Sequence, residues 1–252
     1  MGITSAIFAA AVAFRFTADP GMRPPHARSS DELAPGQAAL EARVRSYLLE
    51  HPEVIVEAIR ELETRRQAAA QSEASGMIAA RADELYADPD SPVGGNTAGD
   101  TTIVEFFDYN CPYCRRVGSV LTEVIAADAQ LRVVYKEFPI LGTNSVLAAR
   151  AALAAHRQGR YVAFHEALMS RKGLVDADAI WSTAQTLGLD VTQLRRDMDD
   201  PTFQGAIERN IELGRTLRIS GTPGFVIGDQ ILRGATDLAT MRLLVQRARE
   251  HR

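Results

Sequence analysis

Cysteine is nearly absent from this chain: 252 residues contain two, Cys111 and Cys114. Two cysteines build no disulfide framework and close no four-thiolate zinc site, so the pair is either a redox dithiol or half of a metal site. Basic charge in excess is also lacking. Lys and Arg number 28 against 32 Asp and Glu, for a net charge of −4, which leaves no broad basic surface for nucleic acid. Nor does the N-terminus offer a membrane span. Its apolar run, Ile3 to Phe14, is twelve residues long, and a bilayer takes about 20. That length suits the apolar core of a secretory signal. Against a standard signal, no Lys or Arg precedes the run, Arg15 follows it directly, and the small-residue stretch Ala11-Val12-Ala13 lies inside it. Residues 1–18 are read as a signal-like segment, which points to export. A short uncleaved anchor and an ordinary buried segment are the alternatives.

What is present divides the chain. Residues 19–35 hold Pro20, Pro24, Pro25 and Pro35 among Gly, Ser and Arg, with no periodicity, and form a linker. Leu40, Val44, Tyr47 and Leu48 recur at i, i+4, i+7, i+8 and predict a helix that stops at His51-Pro52. Val54, Ile55, Ala58, Ile59 and Leu62 predict a second helix. Gln67 to Tyr86 has helix-forming composition but few large apolar residues, so it is expected to be helical and weakly anchored. The region 36–90 is thus an N-terminal helical arm. Its two apolar stripes need burial, and an oligomer would supply it. The bland alternative is docking of both stripes on the rest of the chain.

Asp88 to Asp100, rich in Gly and Pro, breaks the pattern, and a second domain is expected over 91–252. Thr101 to Phe107 is β-branched and aromatic, hence a strand. A helix is expected from about Pro112 to Asp128, a strand over Leu131 to Phe138, and helices alone through 144–217. A hairpin about Gly228-Asp229 and a last helix from about Asp237 to Arg249 follow. The order is that of an α/β fold with a helical insertion. Phe164 and Trp181, on apolar helix faces in that insertion, are expected in the core.

The strand ends at Asp108 and the helix starts just past Cys111, which puts Cys111 at a helix N-terminus. Unpaired N–H groups and the macrodipole favour negative charge there. Cys111 is therefore expected to be the exposed, attacking thiol. Cys114, three residues on, points partly inward and resolves. Pro112 suits the first helical position, and Tyr113 caps the site with an amphipathic ring. None of His26, His51, His156, His165 and His251 has ligand spacing to the cysteines, so no metal site is expected; transient Cu(I) on the same two sulfurs is compatible with a redox pair. Gly221-Thr222-Pro223-Gly224, just before the hairpin, is a natural place for a cis peptide bond at Pro223. Thr222 there would pair edge to edge with a substrate strand. Glu105 lies among apolar strand residues. It could move protons for Cys114 or be a structural charge paired with Lys136 on the neighbouring strand, and the two roles are not exclusive. Lys136 and Glu137 adjoin near a strand end, and one is expected to point out. Arg115 and Arg116 are expected on the solvated helix surface.

Three stretches, Phe106–Cys114 (FFDYNCPYC), Tyr135–Leu141 (YKEFPIL) and Gly221–Gly228 (GTPGFVIG), resemble the DsbA-like family of bacterial envelope thiol–disulfide enzymes. Tyr47–Val54... continues the likeness toward its ScsC-like members, over about 36–250. The resemblance implies a thioredoxin fold with a helical insertion, a cis Pro223 and envelope location. It implies thiol–disulfide exchange on exported client proteins, with no cofactor beyond the Cys111–Cys114 disulfide, and a membrane redox partner protein. By the same resemblance, Pro-Tyr between the cysteines and Thr222 before Pro223 lean toward an isomerase or reductase, and the N-terminal helices toward a homo-oligomer. A monomeric dithiol oxidase and a copper-binding dithiol protein are the competing readings.

Overall fold

The computed structural model describes residues 35–250. The signal-like segment and the linker lie outside the described residues, apart from Pro35 at the start of the first helix. The chain divides into two units, one ending at Glu61 and one beginning at Leu62.

In the first unit, α1 spans Pro35–Glu50 and α2, Glu53–Ala80, begins. The chain turns at His51-Pro52, where the Val54 N–H donates to the His51 carbonyl at 3.2 Å. The expected stripes are there, and they stay open. Leu40, Val44, Tyr47, Ile55 and Ile59 are each 46–58% exposed.

The second unit is built on a five-stranded sheet of order β1-β3-β2-β4-β5. The strands are β1 (Val93–Gly95), β2 (Thr101–Phe107), β3 (Leu131–Glu137), β4 (Gly224–Ile227) and β5 (Gln230–Arg233). Only β2 and β3 run parallel, and the crossover such a pair needs is helix α4, Pro112–Ala127. Strand β1 was not foreseen: three residues with two glycines carry no β pattern. Gly94 is required there, because a Cβ would stand 2.9 Å from the ring of Tyr135.

Residues 143–216 are helical throughout, as expected: α5 (Thr143–Arg157), α6 (Tyr161–Met169), α7 (Ala177–Thr186), α8 (Val191–Met198) and α9 (Pro201–Thr216). Asp176, Asp190 and Asp200 cap the last three through their carboxylates. The final helix α10, Leu238–Glu250, packs Met241 and Val245 inward. Phe164 is fully buried; Trp181 packs at the core margin under the Arg195 guanidinium, 3.9 Å from its ring centre. This is the thioredoxin-like architecture with a helical insertion between β3 and β4.

Period-2 alternation sends the two sides of each strand to different cores. Ile103, Phe107, Tyr135 and Phe225 join α4, α10 and the insertion. Val104, Phe106, Val134 and Val226 face Ile78, Leu85 and Leu213. The segment Gln67 to Tyr86, expected to be weakly anchored, supplies two of those residues. It continues α2 into α3, Ala82–Tyr86, and buries Ala74, Ile78 and Leu85. Its apolar residues are few, but they share one face. Burying Ile78 and Leu85 contributes about 1.5–3 kcal/mol each. Polar contacts fix the register: Gln71 Nε2 donates to the Asp229 carbonyl at 2.9 Å, and Glu73 pairs with Arg218 at 2.6 Å.

Both residues of the Lys136–Glu137 pair are buried, one on each face, so neither points out. Lys136 Nζ donates to the Glu84 carbonyl (2.5 Å), Ser91 Oγ (2.7 Å) and Asp88 Oδ2 (3.0 Å). Burial lowers the Lys136 pKa, and Asp88 opposes that loss. Burial likewise works against the Asp88 carboxylate, but Lys136, Ser91 and the Asp90 N–H outweigh it and its pKa is lowered. Removing one partner of such a pair leaves a buried charge uncompensated. The Lys136→Met variant is expected to lose about 3 kcal/mol of unfolding free energy, read from urea transitions; an unchanged midpoint would show that the pair is dispensable.

Candidate active site

The site forms where β2 hands over to α4. Asp108 follows the last strand residue, and its carbonyl accepts from the Cys111 N–H at 3.0 Å, closing a tight turn. Cys111 is the N-cap residue of α4 with extended backbone (φ −80°, ψ 118°), and Pro112 takes the first helical position. Cys111 therefore stands at the positive N-terminal end of a 16-residue helix. Cys114 lies in the first turn on the buried side. Both are free thiols.

The Thr222–Pro223 peptide bond is cis, as expected. It precedes β4, which pairs with β2, and so stands opposite the turn. The Cys111 Sγ–H donates to the Thr222 carbonyl at 3.2 Å. This contact corrects the expectation of an exposed Cys111: the residue is 3% accessible, because the Thr222–Pro223 loop covers it. Pro112 and Tyr113 are exposed beside it, and Arg116 lies over the Tyr113 ring.

Behind the thiols, Glu105 is 1% exposed and its Oε2 has no hydrogen-bond partner. Burial raises its pKa to about 8. Burial also pushes the Cys114 thiol far up; the Asp108 N–H and the Thr222 hydroxyl oppose this, whereas the charges of Cys111 and Glu105 add to it. Glu105 is thus close enough to Cys114 to sense it. Its suggested partner Lys136 is not near. Glu105 stands opposite Tyr135 across the β2–β3 pair, whereas Lys136 stands opposite Phe106 on the other face. The Glu105–Lys136 pair does not form, and Lys136 belongs to the Asp88 staple instead.

Sequence reasoning missed a polar cluster beside the turn. Glu137 Oε1 accepts from Tyr161 (2.7 Å) and Tyr109 (3.0 Å), and Tyr109 Oη lies 3.2 Å from His165 Nδ1. Burial raises the Glu137 pKa well above its ordinary value and depresses that of His165 to about 3. Arg115 is not simply solvated: its Nε donates to the Tyr109 carbonyl at 3.0 Å. Single polar residues scattered over a strand end and a distant helix give no local signal for such a cluster. A hollow of about 610 Å³ opens between α4 and α6, lined by Arg115, Tyr135 and His165 but by neither cysteine. Among the described residues, no group of three or more His, Cys, Asp or Glu is arranged to hold a metal ion.

Residues 102–246 match the family model described as a DSBA-like thioredoxin domain. The chain belongs to this family. Residues 37–69 match a second model, the copper resistance protein ScsC N-terminal domain. The crystal structure of a thioredoxin-like oxidoreductase from Silicibacter pomeroyi DSS-3 is 46% identical (TM-score 0.65), over 67% of this chain and 97% of that one. Proteus mirabilis ScsC in a transitional conformation is 30% identical (TM-score 0.65), over 89% of this chain and all of that one. The thiol:disulfide interchange protein DsbA of Bordetella parapertussis is 28% identical over 181 residues, 67% of this chain and 85% of its own length. The chain spans about a quarter of the length of the Na(+)/H(+) antiporters NhaA it also matches, at 26% identity in Salinispora tropica.

Two measurements check the site. Iodoacetamide in limiting amount at pH 6 is expected to label Cys111 first; labelling of Cys114 first reverses the assignment of attacker and resolver. The second uses Glu105. Its proton is held more tightly in the folded chain (about 8) than at the ordinary value of 4.5. Between these values the unfolded chain binds fewer protons, so stability falls as pH rises through the window, by at most about 1.4 kcal/mol per unit for one group. In Glu105→Gln this fall should be shallower in urea titrations between pH 5 and 8, because Glu137, whose pKa burial also raises, still contributes to it. Parallel curves for the two proteins would place the Glu105 pKa outside the window.

Proposed function

We propose that this protein is a thiol–disulfide oxidoreductase acting on exported proteins, and that it works as a disulfide isomerase or reductase in a homo-oligomer. The observation that carries the chemistry is the placement of Cys111: its sulfur at the N-terminus of α4, against the Thr222 carbonyl, with buried Cys114 one turn on. The Cys111 thiolate attacks one sulfur of a client disulfide. A Cys111–client bond forms, and the other client sulfur leaves as a thiolate that takes up a proton. Cys114 then resolves. It gives its proton to the Glu105 carboxylate and attacks the Cys111 sulfur; the Cys111–Cys114 bond forms, the Cys111–client bond breaks, and the client sulfur leaves as a thiolate that takes up the proton from Glu105. The client disulfide is thereby reduced and the Cys111–Cys114 pair oxidised. When a client thiol resolves instead, the bond is reshuffled and no net electrons move.

Glu105 suits the proton step because it is buried, unpaired and titrates near neutral pH. Partly exposed Thr222 offers backbone groups to an extended client segment, with Pro112 and Tyr113 beside it. The family match and the likeness to DsbA and ScsC support the reading. Export to the periplasm or envelope follows the same likeness, as does a membrane protein that resets the thiols. The reduced sulfur pair also takes Cu(I) transiently, as soft thiolates do.

The open stripes of α1 and α2 support the oligomer. Leu40, Val44 and Tyr47, with Ile55 and Ile59, leave apolar surface that a second copy would cover. Several thiols facing one client raise the local thiol concentration. Because residues 62–86 pack into the catalytic unit, the informative truncation stops at Glu61. In the full chain, Cys114→Ser is expected to accumulate mixed disulfides with exported clients, which shift to the monomer mass on reduction. The wild-type chain should scatter light as an oligomer at tens of micromolar, and the chain starting at Leu62 as a monomer with reduced refolding of scrambled substrates. No mixed disulfides would remove the enzyme reading; a monomeric full chain would remove the arm's role.

A further inference from the structure

The hollow of about 610 Å³ between α4 and α6 takes no part in thiol exchange. Neither cysteine lines it, nor do Pro112, Tyr113, Thr222 and Pro223. The two helices run antiparallel along it. A Cβ on Gly118 would lie 3.9 Å from the Met169 Cβ, so the end of α6 meets the early turns of α4. At the far end, Val162 and Ile125 flank the adjoining Gly94 and Gly95, at 3.3 and 3.8 Å from where their Cβ atoms would stand.

Charge is sorted along the hollow. Arg115, in the first turns of α4, and Arg171, just past α6, share one end; Glu166 lies farther in. The two guanidiniums spend some N–H groups on neutral oxygens of Tyr109, Asn110, Ser182 and Thr183, and neither they nor Glu166 form an ion pair among the described residues. Glu123, the other acid on the wall, pairs with Arg242. Beside Glu166, the ring of buried His165 reaches the hollow. Tyr109 Oη donates to Glu137, so it accepts from His165 Nδ1–H at 3.2 Å, and Nε2 keeps its lone pair. That lone pair meets no donor among the described contacts. Leu121, Tyr135 and Met169 make an apolar floor. Gly118 leaves the wall bare. Glycine weakens a helix interior, and packing does not require it here, because the nearest atom from another element stands 3.9 Å from its would-be Cβ.

We infer that the hollow binds a free zwitterionic peptide of about three residues, its carboxylate on Arg115 and Arg171 and its ammonium between Glu166 and His165 Nε2. Spacing sets the length. Arg115 lies three residues before Gly118, and Glu166 three before Met169, so along the antiparallel helices they are about 9 Å apart at 1.5 Å per residue. An extended peptide spans about 3.3–3.6 Å per residue, which puts the termini of a tripeptide about 10 Å apart. The terminus of a protein chain supplies only one of the two charges, so a free peptide alone satisfies both ends. Hydrogen bonds between ionised groups are the strong ones. The lone pair on Nε2 suits an ammonium donor. Burial pulls the His165 pKa down to about 3, so the ring does not compete there as a cation. The apolar floor takes the middle side chain. This site is separate from the one that attacks clients and does not depend on the direction of thiol exchange.

The test is titration calorimetry on the full chain with three cysteine-free probes: Ala-Leu-Ala, its N-acetyl form and its C-terminal amide. The free tripeptide should bind with a Kd below about 1 mM, and each blocked form about tenfold more weakly, the loss of one charge-assisted contact. Glu166→Gln should weaken the free tripeptide to the level of the acetylated one and leave the acetylated one unchanged. Arg171→Gln should do the same with the amide. Gly118→Leu, which fills the hollow, should abolish binding without lowering the unfolding temperature, since leucine is a good helix former and its Cβ has room. No heat from Ala-Leu-Ala at about 10 mM overturns the site, and so does equal affinity for the three peptides. Binding that survives Gly118→Leu places the peptide elsewhere. If that variant does not fold, the two single charge exchanges decide: loss of binding in the paired pattern supports the site, and unchanged affinity in both removes it.

Discussion

The turn between β2 and α4 depends on one buried carboxylate. Asp108 carries no cationic partner among the described contacts; four donors from three segments satisfy it instead. Its own carbonyl holds the Cys111 N–H. One residue thereby sets where the strand stops, where the helix starts and where the loop after β3 lies. The position of Cys111 over the helix N-terminus follows from that, and so does its contact with Thr222. An unsatisfied buried carboxylate would be costly, so these donors are mutually required.

Charge on the two faces of the sheet is handled in opposite ways. On the α2–α3 face, Lys136 and Asp88 neutralise each other and close a structural staple. On the α4 face, Glu105 has been left without a partner, and Glu137 is answered only by neutral hydroxyls. Carboxyls treated this way keep their protons to higher pH. One of them, Glu105, lies close enough to Cys114 for its charge to add to the rise in that thiol's pKa. The strand alternation that separates residue 105 from residue 136 is what keeps the acid and the lysine apart.

The arm and the catalytic unit divide within one helix. The first part of α2 leaves its apolar residues open, and the second part buries its few against the sheet. A sequence with sparse apolar residues was expected to dock weakly. That expectation weighs number and ignores direction: Ala74 and Ile78 are one helical turn apart, and polar partners at Gln71 and Glu73 complete the attachment.

Local pattern by itself determined most of the fold. β-Branched runs gave β2 and β3, turn residues gave the β4–β5 hairpin, and spacing put Cys111 and Cys114 at a helix start and Pro223 before a strand. Each of these is a property of a few consecutive residues, and backbone preference acts at that range. Strand β1 was not legible, since Gly94 is there for the Tyr135 ring and Gly95 for the Leu131 carbonyl, and neither carries β propensity. Nor was the partner of Lys136, the burial of Cys111, or the joining of Asp108, Asn110, Ser145 and Val175. Those contacts link residues from 35 to 111 positions apart. Only the closed sheet and the packed insertion bring such residues within hydrogen-bond reach, and only there does burial decide which charge is paired and which is kept for chemistry.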